Sequence, residues 1–307
     1  MTTANVLRLW LAATFAVGTL VAAWLLPESA RGWAWAGGVA LPLALIPVVL
    51  ALEFSLAALF DPRAPRAPVA QVLAVWAHEV AVSWRMFLFE QPFRAGFREP
   101  AVERDSHRPA VLLVHGYLCN RAVWRPLLDS RALAHCNLAT VNLEPVFGSI
   151  DAYADRIAAA VDRLRAASGA ERVVLIGHSM GGIAIRAYLR RCGDGHVARV
   201  ITIASPHGGT LLGRLGHGVN ARQMARGSAY LAALEAALTP ALRSKFVCLA
   251  TRDDNMIIPR TSPLMPGARH VVFDRVGHLA MVVDVRVWQA LADAVATRED
   301  LDADRRG

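Results

Sequence analysis

Two long stretches without a charged residue stand at the start of this 307-residue chain, and they restrict its fold more than any other feature. Leu9 to Leu26 carries no charge, and neither does Gly32 to Leu52, which continues past Glu53 to Phe60. Each run is long enough to cross roughly 30 Å of hydrocarbon as a helix, a form that pairs its own backbone groups. A cleaved signal peptide would explain the first run alone, but its apolar part is long and no small-residue cleavage site stands before Pro27. The expectation is a membrane anchor of two transmembrane helices over residues 1–60, with Pro42 and Pro47 bending the second. Arg8 precedes the first run, Arg63 and Arg66 follow the second, and Glu28 and Arg31 cancel between them. The positive-inside tendency then puts both ends of the hairpin in the cytoplasm and the small loop outside.

Composition adds exclusions. Hydrophobic residues make up 55% of the chain, with the excess in the first sixty positions. The formal charge of +8 comes from scattered bases that are nearly all arginine, with no basic run interleaved with aromatics. That pattern argues against a nucleic-acid partner and suits attraction to anionic lipid headgroups. Cys119, Cys136, Cys192 and Cys248 form no CxxC pair or Cys/His zinc spacing, so no metal site is expected and free buried thiols are the simpler reading.

Residues 61–108 read as a linker and an amphipathic helix. Asp61 to Pro68, DPRAPRAP, is a stiff extended stretch. After it Leu73, Trp76, Val80, Trp84 and Phe87 share one helical face, suited either to a membrane surface or to docking on the domain that follows. From residue 109 short apolar runs alternate with helical patterns. Candidate strands are Ala110–Val114, Leu138–Leu143, Arg172–Ile176, Val197–Ala204, Lys245–Ala250 and Arg269–Phe273. Helical patterns lie over Arg121–Ala134, Ile150–Ala167, Met180–Arg191, Ala221–Leu238 and Val285–Thr297. Such alternation implies an α/β domain over 109–297, with a mostly parallel sheet flanked by helices. The tail over 298–307 is charged and predicted to be disordered.

The chemistry concentrates at a few strand ends. Gly177-His178-Ser179-Met180-Gly181 follows the apolar run Val173-Val174-Leu175-Ile176 and opens a helical pattern. A sharp strand-to-helix turn of this kind exposes a serine hydroxyl as a nucleophile, here Ser179. Acyl transfer also needs two backbone N–H donors for the developing oxyanion, and Met180 and Tyr117 are the candidates. Tyr117 follows Val114-His115-Gly116 at the end of the first strand, where His115 reads as a histidine shaping the loop. The general base is His278, in Arg275-Val276-Gly277-His278-Leu279 after the last strand, ahead of His207 and His270. The acid that orients it falls in Thr251-Arg252-Asp253-Asp254-Asn255-Met256-Ile257-Ile258-Pro259. Position before the apolar turn favours Asp254 over Asp253, which would then be a solvated loop carboxylate.

On LLVHGYLCN, LIGHSMGG, ITIASPHGGT, DDNMIIP and GARHVVFDRVGH, the stretch from about Ala110 to Ala290 resembles the bacterial lipase and esterase branch of the α/β-hydrolases. The resemblance implies the α/β-hydrolase fold, carboxylic ester hydrolysis without metal or cofactor, and an oxyanion hole at Tyr117 and Met180. An ungapped register from His278 would put the family's acid on Asn255, one residue past Asp254. Gln91-Pro92-Phe93 and the run from Leu143 to Asp151 look like a subgroup of membrane-anchored proteobacterial hydrolases of unassigned substrate, implying an inner-membrane, multi-pass protein; the flanking charges place its hydrolase domain in the cytoplasm. Leu211, Leu212, Leu215 and the segment Met224–Leu238 would suit an acyl chain, or serve helix packing. The expected function is a membrane-anchored serine hydrolase acting on lipid-type acyl esters. An acyltransferase or thioesterase would use the same residues, and a non-catalytic scaffold is the alternative of another class.

Overall fold

Period-two burial along consecutive apolar strands divides the interior into two layers. A computed structural model describes residues 1–61 and 67–296, so most of the expected stiff stretch and the whole charged tail lie outside the described residues. In chain order the helices before the sheet are α1 (Thr3–Leu25), α2 (Trp35–Phe60), α3 (Val69–Trp84), a π-helical continuation over Arg85–Glu90, and the single turn α4 (Gln91–Phe93). Next come β1 (Ala110–Val114), α5 (Arg125–Ser130), β2 (Asn137–Val141), α6 (Ile150–Ser168), β3 (Val173–His178), α7 (Met180–Cys192) and β4 (Val197–Ile203). The chain continues through α8 (Val219–Gln223), α9 (Ala229–Ala236), α10 (Pro240–Ser244), β5 (Phe246–Thr251), β6 (Arg269–Phe273) and α11 (Val285–Ala296).

All strand pairs are parallel, in the order β2-β1-β3-β4-β5-β6. Leu112, Val114, Leu175 and Val200 face one core, filled by α6, α7 and α9. Their neighbours Val111, Leu113, Ile176 and Ile201 face the other, filled by Trp124, Leu127 and α11, and by Val82 and Met86 from the N-terminal segment. Registers keep the strand ends level: Val114 pairs with Val141 and Gly177, His178 with Ile203, and Ile203 with Leu249. The loops after β1, β3, β5 and β6 therefore emerge at one edge. Chain order reverses between β1 and β3, which is where open α/β sheets form their binding crevice.

Two expected helices differ. Arg121–Ala134 is a 3₁₀ turn followed by α5, and Arg131 ends it in the left-handed region at φ 60. Ala221–Leu238 is broken into α8 and α9, with Gly227 at φ 78 between them. Its apolar residues Met224, Leu231, Leu234 and Leu238 belong to the core, which answers the packing reading rather than the acyl-chain one.

α1 and α2 form a hairpin joined by a 3₁₀ turn over Glu28–Trp33. Their backbones approach so closely at Gly18 and Gly37 that a methyl group on either would strike the other's carbonyl. α2 runs unbroken through Pro42 and Pro47. Proline has no N–H, so Pro47 leaves the carbonyl of Leu43 without its helical donor; the indole of Trp84 donates to it at 3.0 Å. Trp76 donates likewise to the Pro47 carbonyl at 3.2 Å. α3 thus packs on α2 through tryptophans and on the sheet domain through another face, where Val75, Glu79, Val82 and Met86 are buried. Leu73, on the apolar face read from the sequence, is 58% exposed.

Leu112 lies fully buried in the middle of β1. Leu112→Ala should lower unfolding stability by about 2–5 kcal/mol through lost burial and a cavity, measured by denaturant titration of the detergent-solubilised chain.

Candidate active site

The turn from β3 to α7 forces an unusual backbone on Ser179. Its φ of 54 and ψ of −124 are a strained combination for a residue with a side chain. Packing maintains it: the Ser179 N–H donates to the Ile203 carbonyl at 2.8 Å. A methyl on Gly181 would run into the Val114 carbonyl, so α7 can begin against the end of β1 only with glycine there. Met180 opens α7, and its N–H belongs to a first turn that has no carbonyl one turn back to pair with.

The loop after β1 reaches the same point. Gly116 sits against Ser179, its ideal Cβ position being 3.0 Å from the serine Cβ. His115 shapes this loop. The Leu143 N–H can only donate, so Nε2 of His115 accepts at 2.9 Å and Nδ1 carries the proton toward the Gly116 carbonyl at 2.9 Å. Burial lowers its pKa to about 4. Leu118 takes φ 53, turning the chain just after Tyr117, whose phenol donates to the His217 carbonyl at 2.6 Å.

Of the two aspartates, the structure pairs Asp254 with His278. Nδ1 of His278 lies 3.0 Å from Asp254 Oδ2, and both residues are buried. The second oxygen, Oδ1, accepts from the N–H groups of Met256 and Ile257 at 2.8 and 2.7 Å, so the carboxylate cannot turn away. A carboxylate partner puts the imidazole proton on Nδ1 and leaves Nε2 as a proton acceptor. Burial works against a charged imidazole, but the charge and hydrogen bond of Asp254, with Glu79 and Glu53 behind it, raise His278 above the ordinary histidine value. His278 stands beside the elbow: its carbonyl is 3.2 Å from His178 Nε2, and the two rings are 4.9 Å apart between centroids. Among the described residues no hydrogen bond links Ser179 Oγ to His278; such bonds commonly tighten when substrate binds.

Asp253 is a correction. It is not solvated but 8% exposed, accepting from the Arg275 N–H at 2.6 Å and lying 3.3 Å from Gln71 Nε2. Asn255, the residue reached by the ungapped register, donates to Glu53 at 2.7 Å and accepts from the His278 N–H at 3.1 Å. His207 is buried against Thr202, and His270 contacts the Met265 carbonyl; neither lies in this constellation. All four cysteines are free, three of them buried. Among the described residues no group of three metal-ligating side chains gathers.

Sequence reasoning missed the partners supplied by the N-terminal helices. Glu79 accepts from the N–H groups of Leu279 and Ala280 at 2.6 and 2.9 Å. Thr3 donates to the Cys119 carbonyl at 3.0 Å, and Asp61 accepts from the Arg260 N–H at 2.8 Å. A signal was available: Glu53 and Glu79 are lone carboxylates within apolar helical runs, a placement that needs a buried partner.

A family model described as alpha/beta hydrolase fold matches residues 109–215, a stretch holding Tyr117, Ser179 and Met180 but ending before Asp254 and His278. The mature lipase of Bacillus licheniformis is similar in structure at a TM-score of 0.55 and 18% identity, over 63% of this chain and 96% of that one. Aspergillus fumigatus lipase B is similar at 0.54 and 14% identity, over 67% of this chain and 59% of that one. No curated protein sequence is detectably similar. The chain has the α/β-hydrolase fold, with a parallel sheet flanked by helices.

Asp254→Asn removes the largest influence raising His278. The imidazole should then titrate at lower pH than in the unaltered chain, followed by the histidine ring carbon resonances.

Proposed function

We propose that this chain is a membrane-anchored serine hydrolase that cleaves carboxylic esters of amphiphilic, lipid-type substrates through Ser179, His278 and Asp254. The observation that carries the reading is the buried 3.0 Å pair of His278 Nδ1 with Asp254 beside a serine held at φ 54 on a strand-to-helix turn. His278 Nε2 takes the Ser179 proton as the hydroxyl oxygen attacks the acyl carbonyl. The N–H groups of Met180 and Tyr117 receive the oxyanion, and the imidazolium is stabilised by Asp254. Collapse of the tetrahedral adduct passes the proton to the leaving alcohol and leaves an acyl-serine. Water, deprotonated by the same imidazole, releases the acid and restores the serine. The similar folds of the two lipases support ester hydrolysis as the reaction class.

The anchor supports the substrate class. α1 and α2 are long and apolar enough to cross a membrane, and Val17, Leu20, Trp24, Val48 and Leu52 expose large apolar side chains. α3 with its continuation is also long and apolar enough, but its docked face and buried Glu79 favour a role against the hydrolase domain. Thr3 at the start of α1 and Glu53 near the end of α2 both contact the hydrolase domain, so the hairpin loop at Glu28–Trp33 lies at the far end of the helices. A hairpin set in a bilayer this way keeps the N-terminus and the catalytic domain on one side, which the flanking arginines assign to the cytoplasm. It holds the serine at the lipid surface, where amphiphilic esters are concentrated.

Ser179→Ala should abolish fluorophosphonate labelling and reduce p-nitrophenyl ester turnover by roughly four to six orders of magnitude. Labelling that persists in this variant sinks the reading. Product analysis with an added alcohol separates hydrolysis from acyl transfer. The base must be neutral to accept the serine proton, and its pKa is raised. Turnover in the unaltered chain should therefore fall on the acid side with a midpoint above the ordinary histidine value of about 6.5.

A further inference from the structure

The proposed reaction leaves the buried Glu79 and the half-buried Glu53 without a task, and both come from the N-terminal helices. Glu79 on α3 is 1% exposed and uses both oxygens, Oε1 on the Leu279 N–H and Oε2 on the Ala280 N–H. The preceding N–H, that of His278, is taken by Asn255 Oδ1, and Asn255 in turn donates to Glu53 on α2. Three successive backbone donors, at 278, 279 and 280, are thus held by side chains, while Asp254 holds the imidazole itself. Gly277 lies directly against the Glu79 carboxylate, where a methyl group would strike Oε2 and the carboxyl carbon. The loop is built to admit this carboxylate.

Resting on the serine-hydrolase reading, we infer that Glu79 is a positioning residue for the reaction: it fixes the loop that carries His278 and favours the imidazolium formed as Ser179 attacks. Glu53 acts in the same sense through Asn255. Burial pushes the Glu79 carboxyl up to about 7, and once ionised it makes two charge-assisted hydrogen bonds to adjacent N–H groups that define both position and orientation of the backbone next to the base. A negative charge in a water-poor site also lowers the energy of a nearby cation more than it would in water. The groups facing His278 are Asp254 from the loop after β5, His178 from the end of β3, Glu79 from α3 and Glu53 from α2. Burial holds His178 well below the ordinary histidine value, so it is neutral and does not cancel the carboxylates. Both glutamates add to Asp254 in raising His278. The helices that bind the chain to a membrane thereby complete the site.

The test uses the full chain in lipid nanodiscs, with Glu79→Gln and Glu53→Gln beside the unaltered protein. Histidine ring carbon resonances report the His278 titration independently of turnover, its signal identified by loss in His278→Asn. Glu79→Gln should move that titration to lower pH and carry the acid limb of the kcat profile with it. Loosening the loop should also cut kcat by about 10- to 100-fold while KM changes little. Glu53→Gln should shift both in the same direction by less. An unmoved His278 titration in Glu79→Gln overturns the proposal, as does a loss of kcat with the acid limb in place, which would mark Glu79 as structural support alone. If Glu79→Gln does not fold, the same readings on Glu53→Gln decide: an unmoved titration there overturns the proposal. Failure of the hydrolase reading is distinguished by Ser179→Ala, which would then label and turn over like the unaltered chain; the resonance titration would still decide whether Glu79 governs His278.

Discussion

Backbone groups buried in a loop must find partners, and at the carboxyl edge of this sheet several of them find partners outside the sheet domain. Regular strands pair their own N–H and carbonyl groups, but the turns after β1, β5 and β6 carry no ladder to share them with. The Cys119 carbonyl is met by Thr3, the Arg260 N–H by Asp61, and the Leu279 and Ala280 N–H groups by Glu79. Each partner lies in the first eighty residues. The helices that look like a tether by hydropathy are therefore also the frame in which the candidate site is held.

The same constraint sorts the histidines. His115, His178 and His207 are buried without a carboxylate, and loss of solvent pushes each below its ordinary value. His278 is buried as deeply, yet it goes up, because Asp254, Glu79 and Glu53 surround it with negative charge. Burial alone makes a neutral hydrogen-bonding ring. Burial with a paired carboxylate makes a base whose protonated form is tolerated, which is what proton transfer from a serine requires.

Much of the fold was legible because it depends on local periodicity. β1 and β6 have the bounds their apolar runs suggested, and the other strands shift by one or two residues. The breaks inside Arg121–Ala134 and Ala221–Leu238 were not legible, because Arg131 and Gly227 act through left-handed backbone rather than hydrophobic pattern. The sequence left open what the apolar face of α3 packs against, for a related reason. Its tryptophans meet α2, and the face toward the sheet domain includes a charged residue, which an apolar stripe cannot reveal.

The serine elbow, the histidine after the last strand and the two uncharged runs are properties of the sequence itself, since each is a short motif or a length of apolar residues. The sequence pattern already favoured Asp254 as the partner of His278, whereas the burial of Asp253 and the roles of Glu53, Glu79 and Thr3 came from the tertiary structure alone. Position in the chain only ranks the two adjacent aspartates; the turn at Met256 and Ile257 fixes one carboxylate toward the imidazole and the Arg275 N–H takes the other. Contacts spanning about two hundred residues, such as Glu79 to Leu279 and Glu53 to Asn255, have no local signature. They exist because packing the N-terminal helices against the sheet domain leaves buried donors that only those side chains reach.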